Sequence, residues 1–298
     1  MSSETVFQYR NATVLYGDNA KLMNQAEIQA LKDAQIALTF LDPPFNQDKE
    51  YERVDDSMDE DKYWEWLEQV CSSVYQSTMD GGCIYFMQRE KRAKEVLRTL
   101  ERTGWTLQNL IIWKKTTSAV PQRYRYGKHY QIIAFATKGK KPRAFNRLRI
   151  DYPLQPNQKI PRKNGIFVTD VWDDIREMTS GYFAGDEALR EEDGERVHKQ
   201  QSPVALLQRI ILSSTRLGDV VLDPFAGSGT TLVVCNQLNR VSIGIEISKT
   251  NYNVIVERLK AERPADALDM HYYRFTKNLQ KIVGEDLKLE RGLEQYSE

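Results

Sequence analysis

The sequence predicts an α/β protein with a doubly wound, mostly parallel sheet and helices on both faces. Three observations carry that expectation. Short continuous apolar runs, among them 36–41 and 219–222, alternate with segments of helical period, the order that winds a parallel sheet. Two of those runs stop at an acid followed by proline, Asp42-Pro43 and Asp223-Pro224. Proline cannot continue a strand ladder, so the chain leaves the sheet there. The second exit runs into Gly227-Ser228-Gly229 and a further helical pattern, which places a glycine-rich turn at the edge where open α/β sheets bind ligands.

Seven strands are expected. Residues 13–16, closed by Gly17-Asp18, form the first, and 20–33 follow as a helix. Residues 36–41 are apolar throughout, as in a strand buried on both faces. Residues 46–58 are polar and aperiodic and read as a loop beside Asp42. Tyr63, Trp66, Leu67, Val70 and Val74 keep a 3.6-residue spacing, so 61–79 is a helix, which Gly81-Gly82 is expected to end. Strand 83–87 comes next, then helix 91–102 with Ala93, Val96, Leu97 and Leu100 inward and Gly104 at its close. Strands 110–113 and 131–136 flank a basic loop. Between 138 and 195, Pro142, Pro153, Pro156 and Pro161 break every period, and an irregular inserted subdomain is expected. Ser202-Pro203 supplies an N-cap and a first-turn proline for a helix with Val204, Leu207, Ile210 and Ile211 inward. Strand 219–222, a helix to 238, strand 242–246 and helix 249–261 complete the pattern. The tail after Pro264 is charged.

Apolar residues make up 41% of the 298 and charged residues 28%, the balance of a globular protein that buries a sizeable core. No apolar run reaches membrane-spanning length and the first residues lack a signal-peptide pattern, so a cytoplasmic protein is expected. Cys71, Cys83 and Cys235 are too scattered for a metal site and read as reduced core residues. With His129, His198 and His271 as the whole histidine complement, a zinc site is not expected. The net charge is zero, but its distribution is uneven. Eleven Lys/Arg and no acid lie between 114 and 149, while ten acids face two arginines between 170 and 195. Tyr124, Tyr126, Tyr130 and Phe145 interrupt the basic block, a mixture suited to nucleic acid.

Asp42-Pro43-Pro44-Phe45 offers a carboxylate, a proline carbonyl and an exposed ring. That set suits a planar base with an exocyclic amine; a plain surface turn with Asp as a helix cap is the other reading. The glycine turn has three readings. A P-loop requires a lysine that Gly229-Thr230-Thr231 lacks, and a dinucleotide fingerprint requires a third glycine where Leu232 stands. S-adenosylmethionine remains, with Glu246 at the end of the next strand placed to accept ribose hydroxyls.

Together these stretches resemble the circularly permuted β group of DNA amino-methyltransferases, in which the catalytic motif precedes the cofactor motif. Asp42 to Phe45 matches the family's D-P-P-Y/F, and Asp223 to Thr231 its DPFAGSGTT. Gly17-Asp18, Gly81 to Tyr85, Ile111 to Lys115, Arg123 to Gly139 and Asp170-Val171-Trp172 follow in family order, and His198 to Leu212 resembles HPTQKPxxLLxRII. One departure stands out: Ser202-Pro203 replaces the usual Lys-Pro, and Lys199-Gln200 replaces Pro-Thr. The resemblance covers about residues 13–262. It implies a seven-stranded methyltransferase sheet, with residues 1–139 and 196–262 as catalytic and cofactor halves, 140–195 as a target-recognition insertion and 263–298 as an extension.

The activity implied is site-specific methyl transfer from S-adenosylmethionine to adenine N6 in DNA, with cytosine N4 as the near alternative. A nicotinamide-dependent oxidoreductase and a non-catalytic DNA-binding relative are the readings from other classes. Asp42 and the Pro43 carbonyl would accept the amine hydrogens, with Pro44 shaping the turn and Phe45 stacking on a base flipped out of the duplex. Cofactor contacts would come from Asp18, Asp42, Ser202, Asp223, Phe225, Ala226, Gly227, Ser228, Gly229, Thr230, Thr231 and Glu246. Lys114, Lys115, Arg123, Arg125, Lys128, Lys140, Lys141 and Arg143 would neutralise phosphates. Double-stranded DNA is the implied partner, with homodimerisation, a cognate restriction enzyme and a bacterial or archaeal nucleoid setting as further expectations.

Overall fold

The computed structural model describes residues 5–24, 35–46, 50–51, 54–55, 58–117, 120–121, 123–150, 165–178, 185–190, 194, 201–261 and 263–268. Its elements are β1 (Thr5–Tyr9), β2 (Ala12–Tyr16), α1 (Asn19–Asn24), β3 (Ile36–Leu41), β4 (Glu50–Tyr51), β5 (Val54–Asp55), α2 (Glu60–Ser77), β6 (Thr78–Arg89), α3 (Ala93–Arg102), β7 (Trp105–Lys114) and β8 (Tyr130–Lys138). The insertion contributes β9 (Arg149–Ile150), β10 (Ile166–Phe167) and β11 (Val171–Trp172). Then come α4 (Val204–Ser214), β12 (Val220–Asp223), α5 (Thr230–Gln237), β13 (Val241–Glu246) and α6 (Lys249–Lys260).

Nine strands share one sheet in the order β1-β2-β13-β12-β3-β6-β8-β7-β11. Strands β2, β13, β12, β3 and β6 are mutually parallel, while β8 is antiparallel to both β6 and β7. The seven expected strands form the body of this sheet, and two edge strands were not anticipated. Strand β1 pairs antiparallel with β2, and its exposed Val6 weakens the apolar alternation that would mark it. The two-residue β11 pairs with the end of β7, too short to leave a period.

The residues of β3 divide between two cores, with a register shift between Ile36 and Leu38. Leu38 and Phe40 join Tyr85, Ile133 and Phe135 beneath α4 and α5. Ile36 and Leu41 join Ile84, Phe86 and Ile132 beneath α1, α2 and α3. A third cluster, with Val14, Leu232 and Ile255, seats α6. Leu148, Ile150, Trp172 and Ile175 of the insertion lie in the same core as α4.

Some expected boundaries move. Helix α1 is described to Asn24, and the rest of the expected helix to 33 lies outside the described residues. Gly81-Gly82 does not end α2. That helix stops at Ser77, capped by the extended Thr78, and both glycines lie inside β6. They are needed there for close approach: a Cβ on Gly82 would come within 2.9 Å of the Ile36 carbonyl oxygen. Ser202 does not cap α4 either; Pro203 occupies the cap position, and the Val204 amide donates to Glu187 Oε1 at 2.6 Å. The charged tail beyond 268 lies outside the described residues.

Candidate active site

Strands β12 and β3 run parallel as neighbours, with Leu222 level with Thr39. The chain therefore leaves both at the same edge, and the two acid-proline corners meet there. This is also where the strand order turns outward in both directions, the usual place for a crevice in such sheets.

The first corner is held from three sides. Ser202 Oγ donates to Asp42 Oδ2 at 3.1 Å. Tyr63 Oη donates to the Pro44 carbonyl at 2.6 Å, and Gln88 Nε2 donates to Tyr63 Oη at 3.0 Å. Asn46 then takes a left-handed conformation (φ 51°) and its Nδ2 donates to the Met58 carbonyl at 2.7 Å. Pro43 is buried and Phe45 is only 7% exposed. The expected exposed ring is thus turned inward, because the Tyr63 bond draws the turn onto α2.

The second corner is locked by its own carboxylate. Asp223 accepts from the Phe225 amide (3.1 Å) and from Thr231 Oγ1 (2.5 Å). Glu246 accepts from the Gly227 amide (2.7 Å) and the Ser248 amide (2.8 Å), so it fixes the loop between them. Gly229 has φ 79°, and a Cβ there would meet Ile255 at 2.9 Å, so a side chain is excluded on two counts. Ala226 is buried and its amide donates to the Ile245 carbonyl. Ser228 and Thr230 are held from behind by Arg258, whose Nη1 donates to the Ser228 carbonyl (2.9 Å) and to Thr230 Oγ1 (3.0 Å). Arg258 is in turn paired with Asp266 through two bonds of 2.8 and 2.7 Å, both side chains being buried.

The Gly17-Asp18 turn joins the same edge. The Gly17 amide donates to the Glu246 carbonyl. Asp18 Oδ1 accepts from the Ala20 amide (3.0 Å) as a cap for α1, and Asn19 Nδ2 donates to the Pro224 carbonyl (2.8 Å).

Three carboxylates therefore lie buried or half-buried at one sheet edge. Burial, with the neighbouring Asp223 adding to it, pushes Asp42 up to about 8, while Ser202 and Lys115 pull against the shift. Burial also pushes Asp223 up to about 6 and Glu246 up to about 7, against the hydrogen bonds each accepts. Such a cluster favours a ligand that brings positive charge, since a cation restores the ionised state that burial penalises. A sulfonium with an α-ammonium group has that character, and a nicotinamide dinucleotide with its two phosphates does not. Among the described residues no group of His, Cys, Asp or Glu is arranged to hold a metal ion.

The basic block divides between two edges. Strand β7 runs parallel to β3, so Lys114 and the loop after it emerge beside Asp42. Lys114, Arg123, Arg125 and Lys128 are exposed there, with Tyr124 83% and Tyr126 98% exposed. Lys115 is half-buried and close enough to Asp42 to favour its charged form. Strand β8 runs the other way, so Lys140, Lys141 and Arg143 lie at the opposite edge. There Arg143 pairs with Asp219, and its amide donates to the Gly81 carbonyl (2.8 Å) at the start of β6. A one-dimensional run of charge could not reveal that reversal.

The acidic block is likewise not one solvated face. Asp174 makes a two-bond pair with the fully buried Arg209 of α4, at 2.9 and 2.5 Å. Glu177 accepts from the Thr116 and Thr117 amides (2.7 and 2.8 Å) and from Thr117 Oγ1 (2.5 Å), pinning the root of the basic loop. Glu187 caps α4. None of these three, nor Tyr63, Arg258 or Asp266, was recognised from sequence as part of the site. Tyr63 was visible on the apolar stripe of its helix, but the task of its hydroxyl was not. The three cysteines are buried, as expected, and burial pushes Cys83 up to about 12.

A family model described as DNA methylase matches residues 36–257. The type II methyltransferase M.HpaI of Haemophilus parainfluenzae is 31% identical over 268 residues, 88% of this chain and 82% of the relative. The DNA adenine methyltransferase YhdJ of Escherichia coli (strain K12) is 30% identical over 299 residues, 93% of each. Among solved structures, the M1.HpyAVI–SAM complex aligns with a TM-score of 0.55 at 22% identity, covering 84% of this chain and 100% of that one. The PvuII DNA methyltransferase (cytosine-N4-specific) aligns with a TM-score of 0.59 at 16% identity, covering 92% and 94%.

Proposed function

The chain belongs to the DNA methylase family, and from that premise we propose that it methylates the N6 amine of adenine in double-stranded DNA, at a specific site, with S-adenosylmethionine as donor. The observation that carries the reading is the meeting of Asp42-Pro43 with the Asp223–Gly229 loop and Glu246 at one sheet edge. When bound, the cofactor supplies an electrophilic methyl group. The chain supplies orientation. The Asp42 carboxylate and the Pro43 carbonyl accept the two amine hydrogens, which draws the nitrogen lone pair out of conjugation with the ring. Asp42 is placed to take the proton that the amine gives up. Stacking of a flipped base on Phe45 requires the ring to turn outward from its buried position on binding. Gly227, Ser228, Gly229, Thr230 and Thr231 would form the cradle, with Phe225 and Ala226 at its entrance; Glu246 would take the ribose, and Asp18 would border the adenine end.

Residues 140–195 act as the target-recognition insertion, between catalytic (1–139) and cofactor (196–262) halves, and Lys114, Arg123, Arg125 and Lys128 neutralise phosphates on the site side. The type II relatives support a cognate restriction enzyme as partner. Homodimerisation belongs to the proposal and is checked by light scattering. No helix among the described residues is long and apolar enough to cross a membrane.

The test is incubation of the protein with duplex DNA and cofactor, followed by nucleoside mass analysis. N6-methyladenine is expected. N4-methylcytosine would reassign the base, and methyl groups in RNA but not DNA would overturn the substrate class.

A further inference from the structure

Position 202 is one place where this chain departs from the pattern it resembles, with serine in place of lysine. A Ser-Pro pair before a helix ordinarily caps it, and the hydroxyl is then occupied by a first-turn amide. Here the cap is supplied from elsewhere. Glu187, far back in the insertion, takes the Val204 amide at 2.6 Å. Gln201, 5% exposed, fastens the two segments together: its Oε1 accepts from the Leu189 amide (3.1 Å) and its Nε2 donates to the Glu187 carbonyl (3.0 Å). Arg263 holds the same segment by donating to the Asp186 carbonyl at 2.7 Å. The half-buried Ser202 is thus fixed on both sides with its hydroxyl released from capping, and the hydroxyl donates to Asp42 Oδ2 at 3.1 Å.

We propose that Ser202 is a positioning residue for Asp42: its hydroxyl holds Oδ2 so that Oδ1 faces the target amine. This rests on the reading of Asp42 as the amine acceptor, and it replaces the expectation that Ser202 contacts the cofactor. Two kinds of group act on Asp42 from the elements around it. Asp223 from β12 opposes its ionisation, as burial does. Ser202 from the α4 entry and Lys115 from the end of β7 favour it. A hydrogen bond donated to the charged form lowers an acid's pKa, so its loss moves the carboxylate further toward the neutral state.

The experiment compares wild type, Ser202→Ala, Ser202→Thr and Asp42→Ala. It measures cofactor affinity by calorimetry and the pH profile of kcat/KM for methylation of duplex DNA, with thermal melts as a folding control. Ser202→Ala should keep cofactor affinity within about twofold. Its acid limb should move to higher pH, leaving the rate at neutral pH down by about tenfold, the equivalent of one pKa unit, and recovered at high pH. Ser202→Thr, which retains a hydroxyl, should restore the wild-type profile. A cofactor affinity reduced about tenfold with an unmoved profile would return Ser202 to the cofactor site and overturn the proposal. An unchanged affinity and an unchanged profile would overturn it too. If Asp42→Ala itself methylates at the wild-type rate, the failure lies in the functional reading of Asp42 and not in the Ser202 contact.

Discussion

Asp42 is an acid held where its neutral form is favoured, up to about 8, and its proposed task requires the charged form. A limb in the pH profile follows. In the free protein the carboxylate is protonated below that value, so kcat/KM should rise with pH and level off above about 8. Asp42→Asn keeps an acceptor oxygen but cannot take the proton. It should bind cofactor normally, lose about 10²–10⁴ in turnover and lose the limb, as read by methyl incorporation across pH. The Asp42-Pro43-Pro44 corner was legible as the end of an apolar strand, although the pattern alone also reads as a surface turn with Asp as a helix cap. The orientation of Phe45 was not, because it depends on a hydroxyl of Tyr63 that sits eighteen residues away on another element. Ser202 shows the same limit: the local pattern reads as a cap, and Glu187 displaces it from that task.

At the level of elements, the glycine loop is preorganised by residues outside it. Arg258 and Asp266 are both buried and bind each other, and Arg258 alone reaches both Ser228 and Thr230. Removing one partner leaves a buried charge uncompensated, which typically costs about 3–5 kcal/mol. Asp266→Ala should therefore lower the urea midpoint strongly and weaken cofactor binding, while a Met/Leu replacement of the pair should recover stability without recovering the loop geometry. The basic block divides in a way that is also testable. Arg123→Ala or Arg125→Ala should reduce the slope of log K against log salt by about one each, whereas Lys140→Ala or Lys141→Ala should leave it unchanged. Gel-shift titrations at several salt concentrations separate the two groups. The sequence showed one block because strand direction is not written in composition; β8 reverses the chain between the two halves.

Across the whole molecule, three raised carboxylates make the ligand-free protein sensitive to pH. Asp42, Asp223 and Glu246 hold protons in the folded state up to about 8, 6 and 7, while the unfolded chain releases them near 4. Between about pH 4 and 8 the folded state thus binds more protons, and stability falls as pH rises. Thermal melts of the free protein should show a lower Tm at pH 8 than at pH 5. S-adenosylmethionine, through its positive charge, should raise Tm more at pH 8 than at pH 5. An equal gain at both pH values would sever the carboxylate cluster from cofactor binding. The insertion also acts at this scale. Asp174, Glu177 and Glu187 tie it to α4 and to the root of the basic loop, so this segment and the candidate site rest on shared elements.

The sequence by itself determined the strand and helix order, the two acid-proline corners, the glycine turn and Glu246, because each is a local pattern of burial, turn chemistry or backbone freedom. The tertiary structure decided which charges face the crevice, which acids became internal clamps, and what the Ser202 hydroxyl is bound to. Those outcomes depend on strand direction and on contacts between residues up to 160 positions apart. No local period encodes them, since a side chain's partner is chosen only when the chain has closed around it.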